Sequence, residues 1–434
     1  MTATPLSTSR LMLTTITRVR RWCVLGSAVL ALVAANGSTA SAHGEAADEP
    51  FLKVLTTAFH DVSISPTEIK VGEPVTITGT VRVLDTWPYT LRNPEMAYLT
   101  TVVPGPVFVM KERVINGQSA PHSIFIQRGG VYQFRMVVLG RQPGRWHVHP
   151  GLAVEGTGTL IGPGEWVTVT GNAAAFTFPL TLLNGQSITN LDTFGSQFVW
   201  WFPFAGFLVG VVWMLWWTMA HRTITNLAVT AQIPLNDDGP DIGLITPTDH
   251  KWCNVMAAVT ILILAAGWIY NVSPYPNRLP QQTVWLTPVQ PPAGEHLIEA
   301  KPIRGTYDEG TDTLLLNAEV KNVSSSSVTL KRYITAMATF VNGDEREQAK
   351  AGPRDFVGRV DVEPNTPIGP GETRQIRLRM SSKIFSGERI VPVNAPQQFV
   401  AGLLRFDKAD GGQQMVLLRS NIIPARYGTV AIGN

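Results

Sequence analysis

Two imidazoles stand at i and i+2 in Trp146-His147-Val148-His149-Pro150, between the turn pairs Pro143-Gly144 and Pro150-Gly151. Side chains alternate faces along a strand, so a short strand here points both rings to one side. A third nitrogen-rich residue stands far upstream. Arg18, Arg20 and Arg21 lead into an apolar stretch, 22–35, and Ala40 and Ala42 are spaced for an A-x-A signal-peptidase cut. That pattern predicts a signal peptide over 1–42, with His43 as the first mature residue. A free α-amine has an ordinary pKa of ~7.7–8.0 and can give up its proton to a metal near neutral pH. His43 would then close a chelate ring through its own amine and imidazole. With His147 and His149 this makes three or four nitrogen donors in a roughly planar set. Such a set suits Cu(II), which also heads the Irving–Williams order. Zinc prefers a tetrahedral set, and the motif shows no carboxylate base for hydrolytic zinc chemistry.

By itself His-x-His also fits two surface histidines on a strand edge; the terminal His43 turns it into a metal site. His60, in Ala58-Phe59-His60-Asp61, reads either as a ligand of a second site or as a histidine hydrogen-bonded to the adjacent acid. His122 and His296 lie in turn-like contexts that expose them to solvent, and His221 and His250 suit a membrane interface. Trp146, beside the ligands, can relay an electron or simply pack. Cys23 falls in the signal peptide and Cys253 in an apolar run, so the exported part has no thiolate. This rules out a blue-copper centre and a disulfide framework, and a multicopper oxidase needs more histidine and cysteine ligands than are present.

The 434 residues suffice for two or three domains, and a mean hydropathy of +0.09 fits globular parts joined to a few membrane spans. The four arginines of 1–42, with no acid among them, take the formal charge from +3 to −1 on cleavage, so nothing recommends nucleic acid as a partner. From 51 to about 171 the chain reads as strands (68–71, 74–81, 131–138, 166–170) punctuated by Pro104-Gly105-Pro106, Pro143-Gly144 and Gly162-Pro163-Gly164. This predicts an antiparallel sandwich or barrel. Strands at 313–320, 327–340, 372–380 and 399–406, with a turn at Gly369-Pro370-Gly371, predict a second β-sandwich.

Between the two lie residues 198–220, free of charge and covering roughly 30 Å as a helix. Trp200, Trp201, Trp216 and Trp217 gather towards the ends of this stretch, as in an interfacial belt. A second uncharged stretch, 252–270, is shorter. Two transmembrane helices, 198–220 and 252–270, leave both β domains on the extracytoplasmic side and the loop 221–251 in the cytoplasm. The predicted organisation is therefore a domain over 43–190, a helical membrane hairpin, a proline- and glutamine-rich linker at 271–290, and a domain over 291–434.

Several stretches carry a family resemblance: His43-Gly44-Glu45, Trp87-Pro88, Pro104-Gly105-Pro106-Val107-Phe108, Arg141-Gln142-Pro143-Gly144-Arg145-Trp146-His147-Val148-His149 and Ile161-Gly162-Pro163-Gly164-Glu165-Trp166. In these the chain resembles the B subunit of the copper membrane monooxygenases, the family of particulate methane monooxygenase, ammonia monooxygenase and their hydrocarbon-oxidising relatives. The resemblance implies two cupredoxin-like domains joined by two transmembrane helices. It implies copper on His43, His147 and His149, and assembly with A and C membrane subunits as a trimer of three-subunit protomers in the bacterial cell membrane. It further implies hydroxylation of methane, a short alkane or ammonia by O₂, with a quinol-like reductant. Some members carry a histidine where this chain has Arg82, a residue that cannot ligate a metal; a second site at His60 then rests on that histidine alone. The alternative function is a membrane-anchored copper-handling protein without enzymatic activity.

Overall fold

The computed structural model describes residues 49–182, 184–216, 247–273, 283, 285–286, 297–391 and 398–425. The predicted signal peptide, His43, most of the connecting loop, His221, His296 and most of the linker lie outside them.

A short helix, α1 (Pro50–Thr56), starts on a proline and runs directly into β1 (Thr57–Ser65). Ten further strands complete the first sandwich: β2 (Glu68–Lys70), β3 (Pro74–Val83), β4 (Met96–Val102), β5 (Phe108–Ile115), β6 (Gln118–Ser119), β7 (Ile124–Phe125), β8 (Val131–Gly140), β9 (Gly144–Val154), β10 (Gly158–Ile161) and β11 (Glu165–Thr170). One sheet runs β1-β3-β8-β5-β6. The other runs β2-β11-β9-β4-β7, with β10 paired to β9. Period-two burial explains the layering, because Val75, Ile77, Val81 and Val83 of β3 and Tyr132, Phe134, Met136 and Val138 of β8 all turn inward. A small hairpin, β12 (Leu180–Thr181) with β13 (Ser187–Ile188), leads out of the sandwich.

Two helices follow, α2 (Ser196–Leu215) and α3 (Pro247–Val272). They pack antiparallel. Trp216, capping α2, donates to Asp249 at 3.4 Å and its ring lies 5.5 Å from that of Trp252, while Phe202 near the other end lies against Gly267. Pro247–Tyr270 is long and apolar enough to cross a bilayer; the corresponding apolar stretch of α2, Trp200–Leu215, is shorter. The expected spans therefore shift. The second helix begins five residues before 252, and of the expected 198–220 the described helix covers the part up to Leu215. Trp200, Trp201, Phe207, Ile261, Leu262 and Trp268 face outward, so the hairpin has an apolar exterior.

The second sandwich comprises β14 (Ile298–Asp308), β15 (Thr313–Asn322), β16 (Val328–Thr335), β17 (Ala338–Val341), β18 (Val357–Arg359), β19 (Asp361–Glu363), β20 (Thr373–Ser381), β21 (Phe399–Lys408) and β22 (Gln413–Pro424). They are hydrogen-bonded in the order β18-β17-β16-β21-β22-β14-β15-β20-β19 around one core. The single strand expected over 327–340 is two, β16 and β17, broken by a turn in which Ala336 takes φ +48°.

The two sandwiches are not beads on a string. Val54, Leu55, Ala58 and Leu84 of the first belong to the core of the second. The Phe59 N–H donates to the Ala336 carbonyl at 2.8 Å, and the buried Lys53 ammonium donates to the Glu388 carbonyl at 2.7 Å. The segment after α3 also docks: Trp285 stacks on Phe125 at 3.9 Å, and Leu286 is buried in the first core.

Candidate metal centre

Strand β9 runs through Pro150-Gly151 instead of ending there, and the way it does so builds the site. On one edge it pairs with β4 over residues 149–154. On the other it pairs with β11 over 144–148 and with β10 over 151–154. His149 and Pro150 fall in the gap between those two partners, where proline's missing N–H costs no ladder bond. The Gly162-Pro163-Gly164 loop joining β10 to β11 fills that gap, tied by the Gly162 N–H to the Pro150 carbonyl at 2.8 Å.

The loop seats His149. Its Nδ1 lies 2.8 Å from the Gly162 carbonyl, which can only accept, so Nδ1 carries the proton and Nε2 keeps its lone pair. A backbone carbonyl on the far nitrogen is the usual way a ligand imidazole is oriented. Gly164 is needed for space: a Cβ there would sit 2.6 Å from His149 Nε2. His149 is only 2% exposed.

His147 turns to the same side, as the alternation predicts. Its Nδ1 is 2.9 Å from His149 Nε2, and the ring planes cross at 78°. With metal–nitrogen bonds of about 2.0 Å, two neighbouring donors of a square set stand about 2.8 Å apart and two of a tetrahedral set about 3.3 Å. The spacing here fits the square set. His147 faces Trp166 across the β9–β11 ladder; the rings stack at 4.7 Å and 20°, and the Arg145 guanidinium lies 4.7 Å over Trp166.

The remaining wall comes from the second sandwich. Phe356 ends a 3₁₀ turn (Arg354–Phe356) and lies 6.1 Å from His147, nearly parallel at 16°, and 5.7 Å from His149, edge-on at 80°. It clusters with Met337, Ile161 and Val102. No sequence signal singled out Phe356, and Gly164 and Trp166 appeared only as parts of a turn and a motif.

Other predicted residues lie elsewhere. His60 on β1 bonds through Nδ1 to Asp61 at 2.8 Å, matching the hydrogen-bonded reading of that residue. Asp61 sits at a β-bulge with φ +51°, a conformation that aspartate tolerates. Its carboxylate reaches Arg332 at 2.9 Å and Arg405 at 3.4 Å in the second sandwich. The His60 hydrogen bond and these cations outweigh desolvation and hold Asp61 down at about 2. Trp146 packs, its indole N–H donating to the Gln142 carbonyl at 3.0 Å. His122, expected in solvent, is half-buried. Among the described residues no group of three or more histidine, cysteine or acidic side chains could hold a metal; the predicted third ligand, His43, is not among them.

Comparisons with known proteins bear on nearly the whole chain. The chain is 32% identical over 417 residues to the particulate methane monooxygenase alpha subunit of Methylococcus capsulatus (Bath), covering 94% of this chain and 98% of that protein. Among solved structures, it is similar to the cupredoxin domain of amoB from Nitrosocaldus yellowstonii, with 15% identity, a TM-score of 0.23, and 30% of this chain and 99% of that one covered. It is also similar to a cohesin module from a Clostridium perfringens glycoside hydrolase, with 9% identity, a TM-score of 0.16, and 26% and 98% covered. Residues 44–426 match the family of monooxygenase B-subunit proteins, and the chain belongs to that family.

Proposed function

We propose that this chain is the copper-binding B subunit of a membrane-bound monooxygenase that hydroxylates methane, a short-chain alkane or ammonia with O₂. His43, freed by signal-peptide cleavage, would hold copper together with His147 and His149. The observation that carries this reading is the 2.9 Å pair of imidazole nitrogens in an apolar seam of a monooxygenase of this family. When bound, copper supplies a one-electron redox centre. The chain's own residues do the rest: the Gly162 carbonyl orients His149, Trp166 holds the plane of His147, and Phe356 keeps water off the pair.

The role of this copper is auxiliary or electron-relaying, with oxygen insertion in a partner subunit. The site is a buried seam between two sandwiches, while apolar substrates dissolve in the lipid beside the α2–α3 hairpin. The partners in this reading are the A and C subunits in a trimer of three-subunit protomers, with a quinol-like donor. Both helices span the membrane, and both sandwiches, cupredoxin-like in type, face the extracytoplasmic side. His60 stays outside the site, held by Asp61.

The test is copper content and turnover of the intact complex carrying His147→Ala and His149→Ala, with the mass of the amino-terminal peptide measured on the same sample. The expected result is a chain starting at His43, loss of this copper, and retained turnover. Lost turnover in an assembled complex would move catalysis to this site. A chain beginning elsewhere, or a wild-type complex without this copper, overturns the reading. A chain that purifies without membrane partners would point instead to a copper-handling protein.

A further inference from the structure

We infer that Phe356, carried by the second sandwich, is a positioning residue for the histidine pair, making the copper centre a two-domain site whose hydration and metal exchange are set from across the seam. This rests on the copper reading above. Of the rings that meet the pair, Trp166 belongs to the same sheet as the histidines, while Phe356 comes from the other sandwich. Phe356 constrains both imidazoles at once, nearly parallel to one and edge-on to the other, so it bears on their mutual 78° angle. Its own place is fixed. Pro353 precedes its 3₁₀ turn, β18 follows and pairs with β17, and the ring is 2% exposed beside Met337. The segment leading to it also lies on the first sandwich, with Gly352 close to the Val62 carbonyl.

His147 and His149 would hold the copper, and the Phe356 ring lies against both imidazoles. An aromatic ring offers no lone pair, so on its side of the pair it would keep water or a chelator from the metal and slow exchange. Ile161 and Val102 of the first sandwich pack against Phe356 itself, so the ring also ties the two sandwiches together beside the pair.

The experiment uses the intact copper-loaded complex with Phe356→Ala, Phe356→Leu and, as a control, Phe385→Leu. Phe385 is equally buried in the same sandwich but stacks on Phe340, away from the histidines. The readouts are the Cu(II) electron paramagnetic resonance spectrum, the half-life of copper against excess chelator, and the melting temperature. Phe356→Ala should shift the spectrum towards that of a more hydrated copper and shorten the half-life at least about tenfold. Phe356→Leu should fall between, with a melting temperature lowered no more than that of Phe385→Leu. Phe385→Leu should lower the melting temperature and leave spectrum and half-life unchanged. If the alanine variant fails to assemble, the leucine variant carries the test. Wild-type spectra and half-lives in the Phe356 variants overturn the inference. A wild-type complex with no His147-dependent copper signal strikes the copper reading itself, and this inference falls with it.

Discussion

The two sandwiches obey the same layer physics and spend their buried polar groups differently. In the first, a buried polar group at the seam is His149, held by the Gly162 carbonyl and aimed at His147. In the second, Asn322 is fully buried, and its amide donates to the Ser326, Ile368 and Gly369 carbonyls while its oxygen accepts from Ser324. One arrangement brings two imidazole nitrogens together at 2.9 Å; the other satisfies backbone groups. The Asn322 network thus ties the turn after β15 to the loop after β19 and holds the second sandwich together from within.

The comparison breaks most visibly at Asn322. Asn322→Leu leaves buried carbonyls unsatisfied, each costing about 1–3 kcal/mol, so a loss of about 3 kcal/mol is expected. Because Val54, Leu55, Ala58 and Leu84 lie in the same core, both sandwiches should melt in one transition at a lower temperature. Two separated transitions in calorimetry would show that the seam does not couple them.

How much of this could be read from the chain depends on periodicity. β3, β8, β11, β15 and β20 largely alternate apolar and polar residues, and β21 opens on a continuous apolar run; each was legible to within a few positions. β14 was not: from Glu299 to Arg304 no side chain is fully buried, and a bulge at Pro302–Arg304 interrupts the register, so no period-two signal exists. The β16–β17 turn was hidden because Thr335-Ala336-Met337 contains neither glycine nor proline, leaving Ala336 to adopt the left-handed conformation. The histidine pair was legible because i and i+2 share a face whatever the fold. Phe356 was not, since a ring supplied by the other domain leaves no local pattern; its partners are chosen by the seam, and the seam is set by α1 and β1 packing into the second core.

A matched pair of glycine substitutions sharpens the contrast. Gly164 lies against the His149 ring, and Gly402 lies equally tightly against the Tyr333 ring in the second core. Neither has a positive φ, so alanine acts through crowding alone, at about 1–3 kcal/mol each. Both variants should melt a few degrees lower. Gly164→Ala should also lose most of its copper by metal analysis, whereas Gly402→Ala should keep it. Equal copper in the two would mean that the loop does not seat the ligand.

The smallest effect belongs to Asp61, and it tests whether charge helps to hold the seam. Arg332 and Arg405 are directly opposed on β16 and β21, an arrangement that like charges disfavour, and the Asp61 carboxylate from the first sandwich lies against both. Asp61 is 46% exposed, so after solvent screening the network is worth about 1 kcal/mol at most. Its pKa is held at about 2 in the folded chain, against ~3.9 for a free aspartate. A depressed carboxylate stabilises the fold fully above the unfolded value, and the contribution fades as pH falls from about 4 towards 2. Wild type should therefore melt slightly above Asp61→Asn at pH 6, with the gap a little smaller at pH 4, about halved at pH 3 and nearly gone at pH 2. A gap that stays constant across this range would assign the seam to apolar packing alone, with the arginines tolerated and not neutralised.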